Sequence, residues 1–316
     1  MVCPGYWKAR HASGIDDARR VYKVALETVK RLPPPWKRSR RGRPPEKSAH
    51  EYAAICIVMV CFDLTYREVE AFAPGFAGKP IDHSMVGWAL RRMGLNYLRL
   101  VLGLTRKRLR GELEFEFYFV DATGISTPRK IVRIREMRRV REHEVYKLHA
   151  LAGYSSRTSA LVVVSARVTR ANASAGAEFQ RLVHGIRGNG EPLLGDSAFD
   201  TLRNYECAER RGFIPLFRPR KGWFRGLRRR EILKRFDRNR KLYRRRGIGE
   251  ALFAGLENRY GARTRCRRRK TKHAWVLLAL IAHNLRTLMR VRAMKQLGIF
   301  CLLLIYPTNS PQSMPL

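Results

Sequence analysis

Acidic residues are scarce in this 316-residue chain: 26 Asp and Glu stand against 65 Lys and Arg, a formal charge of +39. Such a surface repels itself unless a polyanion neutralises it. The polyanion it points to is nucleic acid, held tightly at low salt and weakly at high salt because each neutralised phosphate releases a counterion. Cysteine is sparse and scattered. Cys3, Cys56, Cys61, Cys207, Cys266 and Cys301 form no Cys-x-x-Cys pair and have no His at zinc-finger spacing, which excludes a zinc module. They read as small apolar residues in a reducing cytoplasm. Long apolar runs are missing too. Uninterrupted stretches such as Ile299 to Ile305 fall far short of the roughly 20 residues a membrane span needs, and no signal-peptide pattern is visible. The expectation is a cytoplasmic, nucleoid-associated prokaryotic protein with no membrane partner. No internal repeat is present, and the length suffices for one sizeable core plus a smaller domain.

Four segments follow from the pattern. Residues 1–46 are basic, and Pro33-Pro34-Pro35 with Arg41-Gly42-Arg43-Pro44 deny this stretch a helix near its end, so it reads as an arm or linker. Residues 47–111 carry apolar side chains at helical spacing (Ile55, Val58, Met59; Met85, Trp88, Met93; Leu98, Val101, Leu102), with a turn near Pro74 to Pro80 and Asp82 or Ser84 as a cap. Residues 112–290 begin with period-two alternation, in which Leu113, Phe115, Phe117 and Phe119 share one face of a strand that ends at Asp121. A hairpin follows, Lys147 to Tyr154 and Ala160 to Val168. Then come a helix over Ala175 to Ile186, a strand over Pro192 to Gly195, a helix over Thr201 to Arg211, a strand over Phe213 to Phe217, helix again beyond Gly249, and a strongly apolar helix over Ala274 to Arg290. Within this segment, 218–242 form a basic insertion; 291–316 are a C-terminal tail. Three antiparallel strands followed by β-α-β crossovers predict a mixed sheet covered by helices, a ribonuclease H-like α/β arrangement preceded by a small all-helical DNA-binding domain.

Three carboxylates stand out. Asp121 continues a packed strand face, where a carboxylate is costly unless a cation compensates it. Asp196 directly follows Leu193-Leu194-Gly195, at a strand end, where open sheets place their sites. Glu250 opens a helix inside a basic run, where a carboxylate repels phosphate unless metal ions intervene. Each also has a plainer reading: a turn or capping Asp, or a Glu complementing a helix dipole.

The stretches Asp121 to Ser126 (DATGIS), Lys147 to Gly153 (KLHALAG), Leu193 to Asp200 (LLGDSAFD), Tyr243 to Gly261 (YRRRGIGEALFAGLENRYG) and Leu277 to Leu288 (LLALIAHNLRTL) resemble the insertion-sequence DDE transposases, in that family's order, over about Gly42 to Arg290. Asp121 matches the family's first Asp, followed by Thr123 and Gly124. Asp196 opens its Gly-Asp-x-x-Tyr/Phe-Asp motif with Phe199 and Asp200. Tyr243, Arg246 and Glu250 fit its Tyr, Arg, Glu, Lys signature, while the Lys position holds Glu257, with Arg259 or Lys270 as substitutes. Gly247 and Gly249 weaken the helix start here by roughly 1 kcal/mol each.

The resemblance implies that Asp121, Asp196 and Glu250 are catalytic and hold two Mg²⁺ ions, with Mn²⁺ able to substitute, for DNA cleavage and strand transfer. Tyr243 and Arg246 would position phosphate, and Lys147 and His149 would line the site, although His149 equally reads as a strand residue bonded to a neighbour. Arg41 and Arg43 resemble an AT-hook core or belong to a plain basic linker. Tyr66 to Ala71 and His83 to Met93 could form a helix-turn-helix with Arg91 and Arg92 on DNA, and a packing bundle explains the same spacing. The implied partners are double-stranded DNA, both terminal inverted repeats and target, and a second copy of the chain. A DNA-binding protein that keeps the fold without catalysis is the alternative.

Overall fold

The computed structural model describes residues 6–37, 45–135, 138–222, 226–260, 266 and 268–297; side chains are described from residue 14 and not over 126–145. Arg41 and Arg43 lie outside the described residues.

Five helices come first: α1 (Tyr6–Val29), α2 (Ala49–Cys61), α3 (Tyr66–Ala77), α4 (His83–Arg92) and α5 (Leu95–Arg110). The expected irregular arm is thus corrected over Tyr6–Val29. Ala18, Val21, Tyr22, Ala25 and Val29 recur at helical spacing and are buried, an apolar stripe on an otherwise charged helix. Two capping boxes start α2 and α3: Ser48 with Glu51, and Thr65 with Glu68. Asp82 caps α4, its carboxylate accepting from the Ser84 N–H at 2.6 Å. The turn falls within the expected stretch: Pro74 is still inside α3, and the chain reverses at Gly78, whose φ of 76° is left-handed. Every residue of α2 from Tyr52 to Cys61 is buried, because α1, α3, α4 and a late helix surround it.

Five strands then build one mixed sheet. They are β1 (Phe117–Arg135), β2 (Arg138–Ser155), β3 (Ala160–Arg170), β4 (Pro192–Gly195) and β5 (Ile214–Phe217), ordered β3-β2-β1-β4-β5. The first three pair antiparallel, while β4 runs parallel to both β1 and β5. Helices α6 (Ala175–Val183) and α7 (Leu202–Arg210) make the crossovers. Leu113 and Phe115 do not share the face of Phe117 and Phe119: the strand begins only at Phe117, and the two earlier residues pack into the core on the α6 side. Beyond Ser126, β1 and β2 pair only with each other, because β3 stops opposite Tyr146.

The basic insertion folds as α8 (Leu227–Arg238) and α9 (Arg240–Arg244), followed by α10 (Ile248–Tyr260) and α11 (Arg269–Gln296). By length and composition α11 passes for a membrane span, but 78% of its apolar window is buried in the protein. It lies between the first helices and the sheet, touching α5, α2 and β3. Asn284 fixes it there: its amide donates to the Val163 carbonyl (2.8 Å) and Thr105 hydroxyl (3.0 Å), and its carbonyl accepts from the Val163 N–H (2.9 Å). One continuous core therefore runs from α1 through α11 to the sheet.

Candidate active site

The sheet register brings the first two carboxylates together. Phe119 pairs with Leu194 and Val120 with Gly195 on parallel β1 and β4, so Asp121 and Asp196 stand side by side where that pairing stops; the strand does not end at Asp121 as expected but runs on to Arg135, while Asp196 directly follows β4. Gly195 leaves room for the rings packed at this strand end: a Cβ there would stand 2.7 Å from the Phe217 ring and 3.1 Å from that of Phe199. Asp196 caps the following turn, accepting from the Ala198 N–H at 2.9 Å. Asp121 accepts from the Ala122 N–H at 2.8 Å and from Arg246 at 2.9 Å. Burial pushes the Asp121 carboxyl above its ordinary range; the Ala122 N–H and Arg246 oppose this, and the like charge of Asp196 adds to it.

Arg246 and Tyr243 join the two acids. Burial raises the Tyr243 hydroxyl, with Arg246 and Arg218 lowering it and Asp196 and Asp121 raising it further. Arg218 was not foreseen; it follows β5, its N–H donating to the Gly195 carbonyl at 3.0 Å.

Glu250 arrives on α10. Gly249 is buried, and a Cβ there would lie 2.7 Å from the Phe119 ring. Eight residues on, Glu257 accepts a long 3.5 Å hydrogen bond from the Thr123 hydroxyl. Eight helical residues span about 12 Å and four strand residues about 13 Å. Helix α10 therefore lies alongside β1, parallel to it, through the stretch that carries Asp121. Glu250 opens this helix and is exposed to solvent.

Residues 113–285, more than half of the chain, match the model of a protein family described as Transposase DDE domain. The chain belongs to that family. Among curated proteins none matches it detectably in sequence.

Other residues of this transposase fall elsewhere. Lys147 and His149 alternate with Leu148 and Ala150, the latter being the β2 partner of Asp121, so they project from the opposite sheet face. Lys147 donates to the Ala173 carbonyl (3.4 Å), and the His149 Nε2 meets the Thr169 hydroxyl (2.8 Å). Arg91 and Arg92 occupy the exposed last turn of α4, with Arg92 stacked 4.7 Å over Trp88. Arg259 lines a cavity of about 370 Å³ with His283, Arg286 and Arg290, and Lys270 is exposed at the start of α11.

The second Asp of the Gly-Asp-Ser-Ala-Phe-Asp stretch has a role that sequence reasoning missed. Asp200 is fully buried and takes a bidentate pair of hydrogen bonds from buried Arg229 on α8, at 2.6 and 2.8 Å, plus one from the Arg220 N–H at 2.7 Å. The Arg220 guanidinium also holds the Ser197 and Ala198 carbonyls. The turn behind Asp196 is thus pinned by the basic insertion. Among the described residues, the one trio of possible metal ligands within 4.8 Å of one another is elsewhere, Glu70, Asp82 and His83, where His83 already meets Glu70 at 3.0 Å.

Proposed function

We propose that this transposase cuts DNA at the ends of its own element and joins them to target DNA at a single site, with Asp121, Asp196 and Glu250 as ligands for magnesium. The observation that carries the reading is the parallel register that sets Asp121 beside Asp196 where the β1–β4 pairing stops. The donor chemistry suits the ion, and the three acids, which do not all stand within 4.8 Å of one another here, would close around it. All donors are carboxylate oxygens, the preference of magnesium, and the raised proton affinity of Asp121 reflects burial beside a second carboxylate, which a cation would relieve. When bound, an ion pair would activate the attacking group and stabilise the leaving oxygen. Manganese is expected to substitute.

The chain's own groups supply position. Arg246 holds Asp121 in place and offers its remaining N–H groups to a phosphate, and the Tyr243 hydroxyl lies beside it as a second phosphate contact. The strand order β3-β2-β1-β4-β5 supports a ribonuclease H-like catalytic domain over 112–290. Helices α3 and α4 pack on each other across a short turn, which supports 47–111 as the part that reads the element's duplex ends, with Arg91 and Arg92 on the backbone. Two ends cut together call for a homodimer on DNA.

The test is incubation of the full chain with Mg²⁺ and labelled duplex carrying the element's terminal inverted repeats, beside Asp196→Ala. Cleavage by wild type alone, with both proteins binding, is the expected result. A wild type that binds without cutting establishes instead the second reading, a DNA-binding protein that keeps the fold. Glu257 favours that reading, since it places a negative charge over Thr123 beside the site.

A further inference from the structure

We propose that the groove between α5, β3 and α6 is a track for the phosphate backbone of duplex DNA, separate from the carboxylate site. The identity of the polyanion rests on the transposase reading; the site itself rests on the groove's own chemistry.

The groove encloses about 560 Å³. Arg99, Arg106 and Lys107 of α5 form one wall, Val164 to Arg167 of β3 the floor, and Arg181 with His184 the other wall. Among the described residues no carboxylate lines it. Glu178 sits behind the second wall and accepts from Arg167 at 2.6 Å and Arg181 at 2.8 Å, so those two cations are compensated. The α5 trio has no such acid within the groove. Glu27 of α1 is engaged by Arg108 and Arg31. Burial lowers the affinity of Arg99 and Arg106 for their protons, and the like charges of Arg167 and Arg110 lower it further. Crowding guanidinium groups without a counter-charge disfavours the free state, and a run of phosphates removes that penalty.

Position agrees with charge. Asp121 pairs with Ala150 and Ala150 with Ala166, so the groove floor lies level with Asp121, two strands away. At the usual strand spacing this is roughly 10 Å, about three nucleotides of rise along one DNA strand. Ala166 shares the sheet face of Asp121, whereas Arg167, paired with His149, and α6 lie on the other face, so the groove runs along the free edge of β3.

The experiment measures affinity of the full chain for a generic duplex against salt concentration. Each phosphate contact contributes about 0.9 to the slope of log K on log salt. Combined Arg99→Gln, Arg106→Gln and Lys107→Gln is expected to reduce the slope by about 2.7. Arg99 and Lys107 are exposed, so the double variant Arg99→Gln/Lys107→Gln carries the test, with a reduction of about 1.8, if the triple variant fails to fold. Arg20→Gln and Lys23→Gln on the exposed side of α1 with Lys30→Gln just past its end remove the same charge and are expected to leave the slope near wild type. A groove variant with the wild-type slope, a control that loses as much, or a wild type that does not bind duplex overturns the proposal. A wild type whose binding depends on the groove but which never cuts element ends removes the cleavage reading and leaves the groove standing. Cutting with a slope indifferent to the groove does the reverse.

Discussion

Gly249→Ala separates two accounts of the α10 start. Helix propensity alone makes the change favourable by about 1 kcal/mol, since glycine costs a helix that much relative to alanine. That gain is expected at Gly255, which is exposed and would carry a Cβ with nothing within 4 Å. At Gly249 the added Cβ would stand 2.7 and 2.8 Å from two atoms of the Phe119 ring, where 3.4 Å is the start of ordinary contact, so the helix must withdraw by about 0.7 Å. Phe119 is fully buried in the central strand and has no room to swing aside. Overpacking of this kind costs about 1 to 3 kcal/mol. Because Glu250 is the next residue, the withdrawal also moves a proposed metal ligand, and displacements near 1 Å cost on the order of 10²-fold in rate. Urea denaturation and cleavage rates of Gly249→Ala, Gly255→Ala and Gly249→Ala/Phe119→Leu test this. The first is expected to lose stability and about 10- to 100-fold in rate, the second to lose neither, and the third to regain rate. A Gly249→Ala protein as stable and as active as Gly255→Ala would refute the reasoning.

Two further outcomes follow from buried charge. Arg229→Met leaves the Asp200 carboxylate buried without its guanidinium and is expected to cost about 3 to 5 kcal/mol, while Arg229→Met/Asp200→Leu recovers most of it; denaturant titration of both variants decides. His283 is half-buried, its Nε2 meets the Leu161 carbonyl at 2.9 Å, and desolvation pulls its pKa from 6.5 down to about 4. The unfolded chain therefore binds the proton first as pH falls, and stability is lost between about pH 6.5 and 4, by about 3 kcal/mol at 1.36 kcal/mol per unit. His283→Gln is expected to flatten that loss, and parallel unfolding curves of the two proteins across this window would count against it.

The alternation before Asp121 and the short apolar run before Asp196 made two strands visible, though not that the first runs on past Asp121, and the β1–β4 register then put the two acids side by side. What stayed hidden was set by contacts between distant residues. Helix α1 escaped notice because its buried stripe is thin and the prolines at 33–35 dominated the reading of the whole segment. The paired extension of β1 and β2 beyond Ser126 has an alternation made largely of cations, which carries no inside-outside signal. Gly249 looked like a weak helix start because only the Phe119 ring, 130 residues earlier in the chain, reveals that the missing side chain is a condition of closure. Lys147 and His149 were placed at the site by their strand and removed from it by a single step of strand parity.

Helix α11 carries a broader consequence. One flank of it meets α2 and α5, and the other meets β3, with Asn284 bonded to both sides. Amputating the first 111 residues would bare one flank of that helix to water, so the sheet and its helices cannot be handled as a detachable blade. The handle and the edge are forged in one piece, and the offset between the first five helices and the sheet that carries Asp121 and Asp196 is built into the packing rather than left to a hinge.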